Sequence, residues 1–182
     1  MLLLRMPMKK TAKITFCAML AALAAIACLA AYFPYITYAA PAIAGLMLLP
    51  AVIEINVFWA FGGFAASLLP VLLLAETEAK LLYLFFFGWY PIVKALIERI
   101  DRRRIEWPIK VAVFNVAIVS AYFIMSRFTD VSLEEFGQLG KYGAIIFLIA
   151  GNVVFVLYDI AVNQVASIYM VRIHRHIKRL FK

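Results

Sequence analysis

"YGAIIFLIAGNVVFVLYDIAVNQVASIYMV", Tyr142 to Val171, holds a single ionisable acid, Asp159, in a run that is otherwise apolar or neutral. About 20 helical residues cross a hydrocarbon core roughly 30 Å thick, so the run is long enough to span one. An acid at mid-depth costs roughly 2.5–3.5 kcal/mol on insertion scales. Such a residue normally faces a bundle interior or a cavity and pairs with something there. Asn152, Asp159 and Asn163 are spaced seven and four apart, which sets them on one helical face that Ser167 continues. Tyr158 and Gln164 flank that stripe. Two readings stay open for it: contact with a ligand or gate, or an interhelical polar clamp from Asp159 to Asn115 or a tyrosine.

The rest of the chain has the same character. Of 182 residues, 66% are hydrophobic and 15% charged, with a mean hydropathy of +0.96. A soluble domain runs nearer 45–50% apolar and about 25% charged. The expectation is one integral membrane domain over 1–182, an all-α bundle of six transmembrane helices over approximately 14–33, 36–53, 55–75, 79–99, 109–127 and 142–171. A basic leader, 1–13, precedes them and a basic tail, 172–182, follows. The first run also fits a secretory signal peptide, since "AAIAC" offers small residues for cleavage. "MPMKK" marks Met8 as an alternative start.

Punctuation within the runs predicts bends. Pro50 should kink the second helix near its end, and Gly88 with Pro91 should break the fourth, "FFFGWYP". Glu76 and Glu78 suit a helix start, and Glu54 with Asn56 suits a cap or, as the sharper reading, a contact with a partner. In the loop before Tyr142, "SLEE" reads as a capping box from Ser132 to Glu135.

Orientation follows from lysine and arginine. With both termini cytoplasmic, the inner segments hold Arg5, Lys9, Lys10, Lys13, Lys94, Arg99, Arg102, Arg103, Arg104, Lys110, Arg172, Arg175, Lys178, Arg179 and Lys182, and the outer ones only Lys80, Arg127 and Lys141. Fifteen of the eighteen on one side is the bias expected of a cytoplasmic face. The net charge of +8 is therefore a membrane signature and no argument for nucleic acid.

Chemistry-bearing motifs are sparse. "GQLGKY" lacks the spacing and the Ser or Thr of a phosphate loop, and neither H-E-x-x-H nor Cys-x-x-Cys occurs. Cys17 and Cys28, eleven apart on one helix, are roughly 16 Å from each other and cannot bridge. His174 and His176 lie in the basic tail and read as lipid-headgroup contacts. One intramembrane acid without a second carboxylate, histidine or metal set gives an enzyme little to work with. The expectation is a protein without catalytic activity, metal or cofactor.

Two further stretches matter. In "YLFFFGWYP", Tyr83, Trp89 and Tyr90 can line a pocket, with backbone groups freed at the break. In "AMLAALAAIACLAAY", Ala18, Ala22 and Ala25 put small residues on one face, suited to close helix contact.

With "EAKLLYLFFFGWYPIVKALIER" (Glu78 to Arg99), "GKYGAIIFLIAGNVVFVLYDIA" (Gly140 to Ala161) and the basic tail, the chain resembles the substrate-binding S components of energy-coupling factor (ECF) transporters, or bacterial membrane proteins grouped with them. The resemblance implies a bacterial plasma-membrane protein that captures a small, vitamin-like molecule. It implies docking through helix one, where Ala18 and Ala22 match an A-x-x-x-A pattern, onto a transmembrane coupling subunit driven by two cytoplasmic ATPases. It places Tyr83, Trp89, Tyr90, Asn152 and Asp159 near the ligand. The alternative is a non-transporting scaffold like the rod-shape protein MreD, with Lys94 to Lys110 and the tail binding cytoplasmic partners or anionic lipids. A bundle filled by its own side chains favours the scaffold.

Overall fold

The structure is a computed structural model in which residues 9–128 and 143–174 are described. The Ser132–Glu135 capping box, His176 and the tail beyond it lie outside them. Helix α1 is Lys10–Leu29, closed by a 3₁₀ turn Ala30–Tyr32, and α2 (Ala39–Leu46) and α3 (Leu49–Glu54) form a broken second rod. Next come α4 (Val57–Leu74), α5 (Thr77–Leu82), a π turn Tyr83–Phe87, α6 (Tyr90–Ile97) and a 3₁₀ turn Glu98–Ile100. Helix α7 is Arg103–Phe128; α8, Gly143–Ile168, ends in a second π turn, Tyr169–Ile173.

Four of these stretches are long and apolar enough to cross a membrane: Lys10–Tyr32, Val57–Leu74, Thr77–Ile100 and Leu148–Ile173. Ala39–Glu54 is apolar but shorter. The outward faces match a lipid solvent, with Phe58 81% and Leu73 72% exposed on α4 and Val153 and Leu157 exposed on α8. Exposed apolar surface of that extent marks contact with membrane or protein. The chain is an all-α, largely apolar bundle consistent with a multi-pass membrane protein.

The predicted bends fall close to where the structure has them. The second rod breaks at Met47–Leu48, so Pro50 sits in the first turn of α3, where its missing N–H removes no helical bond. In the fourth rod the break is a π turn whose wide ring closes from the Gly88 N–H to the Tyr83 carbonyl at 2.9 Å. Pro91 then leaves the Phe87 carbonyl without its helical donor. The Trp89 indole N–H donates to the Phe85 carbonyl at 3.0 Å. Gly45 of α2 packs directly on Phe87, and a Cβ there would stand 2.0 Å from the Phe87 carbonyl oxygen.

Caps finish the ends. The Asn56 side chain accepts from the Trp59 N–H at 2.9 Å, opening α4, and Glu76 Oε2 accepts from the Glu78 and Ala79 N–H groups, opening α5. Helix α7 begins earlier than residue 109 and runs unbroken through Pro108. Pro108 lies near the amino-terminal end, so one lost bond there does not stop the helix.

The interior divides in two. Around α1, small residues (Cys17, Ala21, Ala24, Cys28 and Ala31) let α2 and α4 approach closely. Both cysteines are free and buried. Around α8 the filling is aromatic: Phe86, Tyr90, Phe114, Phe155 and Tyr158 close on one another. Phe114 and Phe155 stack at 4.8 Å between ring centroids, and Phe86 meets Tyr90 at 4.7 Å.

Candidate functional site

Asp159 is 1% exposed and faces inward, as its spacing with Asn152 predicts. Its partners come from two other helices. Tyr90 donates to Asp159 Oδ1 at 2.6 Å, and the Lys94 ammonium bonds the same oxygen. Lys94 Nζ also lies 3.3 Å from the Asp159 carbonyl oxygen and 3.0 Å from Glu98 Oε1, which occupies all three of its N–H groups. Lys110 of α7 bonds Glu98 Oε1 at 2.9 Å and reaches Asp159 Oδ2 at 3.4 Å, with the Trp107 ring centroid 5.8 Å from its nitrogen. Two lysines and two acids are thus interleaved between the fourth rod, α7 and α8. Paired charges are what a low-dielectric interior tolerates, whereas a lone one would cost several kcal/mol.

Local sequence explains the geometry. Lys94 and Glu98 are four apart, so they share one face of the fourth rod, and Tyr90 is one turn before Lys94 on the same face. The 3₁₀ turn then swings the chain into Asp101, at φ 53°, the single described non-glycine residue with positive φ. That reversal starts α7 at Arg103 and brings Lys110 back against Glu98.

One side of the network is open. A cleft of about 830 Å³ lies between the start of α7 and the end of α8, lined by Glu98, Asp101, Glu106, Trp107, Lys110 and Asp159. Asn163 and Ser167, the later members of the polar stripe, form its far wall. Lys94 and Tyr90 lie behind Asp159, fully or nearly fully buried.

The other expected ligand residues lie apart. Tyr83 is fully buried against α4, 2.7 Å from the Ser67 hydroxyl. Trp89 borders an apolar groove of about 610 Å³ between the fourth rod and α7. Asn152 pairs with Asn115 through reciprocal amide bonds of 3.0 and 3.2 Å. Asn115 is therefore the partner of Asn152, and a tyrosine and two lysines are the partners of Asp159. Of the five expected residues, the structure joins Tyr90 to Asp159 and sets the other three away from it, Tyr83 against α4 and Trp89 and Asn152 against α7. On α1, Ala18 and Ala22 are exposed, whereas Ala25 is buried in the bundle.

Sequence reading missed Lys94, Glu98 and Lys110 as members of the site. A lysine inside "WYPIVKALI" was a usable signal, because a cation in an apolar run needs an acid, and Asp159 lies in another run. It also missed a second buried contact. Glu54, fully buried at the end of α3, accepts from the Tyr169 hydroxyl at 3.1 Å, and His174 Nδ1 lies 2.8 Å from the same oxygen, Oε1. Glu54 Oε2 has no hydrogen-bond partner among the described residues. His174 is thus an interhelical contact within the bundle.

Comparison with protein-family models, with characterised proteins and with solved structures finds no match to this chain.

Proposed function

We propose that this protein crosses the bacterial plasma membrane six times with both termini in the cytoplasm, and that it is a substrate-capture subunit of the ECF S-component type. The observation that carries the reading is the Asp159 cleft. A buried charged network that a bundle needs only as a clamp would be sealed; here Asp159 and Lys110 are left on the wall of a cavity large enough for a small metabolite. The exposed Ala18 and Ala22 support a docking face on α1 for a transmembrane coupling subunit, with cytoplasmic ATPases supplying the energy. Ala25 belongs to the internal packing instead. In the proposed orientation the cleft opens towards the cytoplasm, beside Arg99, Arg102 and Arg104. The aromatic layer between the fourth rod and α8 closes the outer side. The described form then corresponds to release, and capture requires those rings to part.

That aromatic layer also favours a second reading, the MreD-like scaffold, because the outer half is filled by its own side chains. Native mass spectrometry of the detergent-purified protein separates the two. A small molecule retained by the wild type and lost in Asp159→Asn, with the fold intact by circular dichroism, supports capture. A wild type free of any bound small molecule, with Ala18→Leu/Ala22→Leu leaving its membrane partners unchanged, removes the capture reading in favour of the scaffold.

A further inference from the structure

Glu54 is the last residue of α3 and is 0% exposed, yet its two oxygens are used unequally. Oε1 takes both the Tyr169 hydroxyl at 3.1 Å and His174 Nδ1 at 2.8 Å, while Oε2 is buried without a hydrogen-bond partner. A tyrosine hydroxyl brings no charge, so the ion pair that the structure gives Glu54 is with His174. A buried carboxylate is tolerated when paired and strongly unfavourable when its partner is lost.

The elements packed on α3 are α1, α4 and α6. Helix α1 carries Lys10, Lys13 and the two cysteines, and α4 carries no titratable side chain. Helix α6 carries Tyr90 and Lys94, and both are bonded to Asp159. Tyr169, Arg172 and His174 come from the end of α8. Two arrangements therefore satisfy the pair, and each holds one proton. Either the imidazole is charged against the carboxylate, or Glu54 is a neutral acid beside a neutral imidazole. With that proton gone, Oε2 is half of a buried carboxylate facing an uncharged ring.

The pair also brackets the π turn. Tyr169 opens that turn and His174 follows its last residue, Ile173. Met170 and Val171, inside the same turn, line the Asp159 cleft together with Ser167. The turn is thus tied to α3 by its two ends and forms cleft wall between them. Such π segments recur where a helix serves a function.

We infer that Glu54 and His174 hold a single exchangeable proton, and that its loss frees the end of α8 from α3 and loosens the cleft wall at Met170 and Val171. The sign follows from the pairing: the tie is intact on the acid side of the imidazole titration and is lost as pH rises through it. Imidazoles change charge between about pH 5 and 8, so the device works near neutrality.

Hydrogen–deuterium exchange of the full-length protein in maltoside micelles tests this, read as protection of residues 166–174 relative to α4 after correction for the intrinsic pH dependence of exchange. Between about pH 5.5 and about pH 8, the range in which histidine titrates, wild-type protection there should fall by about tenfold or more. His174→Lys supplies a permanent cation and should stay protected at both values. His174→Gln should be equally weakly protected at both. Glu54→Gln buries no charge and should lose the pH dependence. If Glu54→Gln does not fold, the two His174 variants still decide. Wild-type protection that does not change with pH, or a fall of the same size in either His174 variant or in Glu54→Gln, overturns the inference. The readout involves no bound molecule, so its failure leaves the capture reading where it stands.

Discussion

Asn152 and Asp159 stand two turns apart on one face of α8, yet they solve the same problem differently. Asn152 meets Asn115 in a closed exchange: each amide donates to the other, and each also donates to its own helix, to Leu148 and Val111 at 2.8 Å. The donors are matched within the two residues and their own helices, and no net charge is buried. Asp159 is a full charge and needs three partners on two other rods. The neutral pair is self-contained, whereas the charged one depends on how the fourth rod and α7 are set. It is therefore the charged site that can respond to a change in helix packing or to a ligand.

The comparison breaks most visibly at Lys94. Lys94→Ala leaves Asp159 and Glu98 short of their central cation and should cost about 3–5 kcal/mol, the usual penalty for orphaning a buried charge. Lys94→Met with Asp159→Leu should recover most of that loss, because apolar replacements of similar volume are often neutral or stabilising. Chemical unfolding in detergent, followed by helical circular dichroism, measures both. A double variant no more stable than Lys94→Ala would mean that the network contributes beyond charge pairing.

Tyr90→Phe comes next. It removes one donor from Asp159 Oδ1 but leaves the ring in the aromatic layer, so about 1.5–3 kcal/mol should be lost, the range for a hydrogen bond to a charged group. Lys110→Gln should cost less, about 1–3 kcal/mol, because the amide keeps a donor for Glu98 in place of the ammonium. The Lys110 side chain is only 4% exposed, but it lines the cleft, which Lys94 does not. The same unfolding assay in rising salt sharpens the contrast: the Lys110 effect should shrink with ionic strength and the Lys94 effect should not.

These assignments mark where sequence reading succeeds. Runs of about 20 apolar residues are sufficient evidence for rods, and proline and glycine locate the breaks to within a turn, because each acts through its own backbone. The inward direction of Asp159 followed from helical spacing alone. Its partners did not, since Lys110 reaches it only through the reversal at Asp101 and the early start of α7. Glu54 reads as a cap from its neighbours and is instead held by Tyr169 and His174, 115 and 120 residues away. Contacts of that separation depend on which rods pack together, and periodicity within a rod carries no such information.

The smallest effect belongs to the neutral pair and gives the cleanest test of its self-containment. Interhelical side-chain bonds in membranes average only about 0.6 kcal/mol, with an upper end near 1.7, because a chain still in the membrane finds other partners. Asn152→Ala and Asn115→Ala should each fall in that range. The double variant should cost no more than the worse of the two, since each single change already removes the whole exchange. The coupling energy of this double-mutant cycle would then nearly equal either single effect. If the two losses add instead, the amides act independently, and the contrast with Asp159 loses its basis: the neutral site would also draw on partners outside its own two helices.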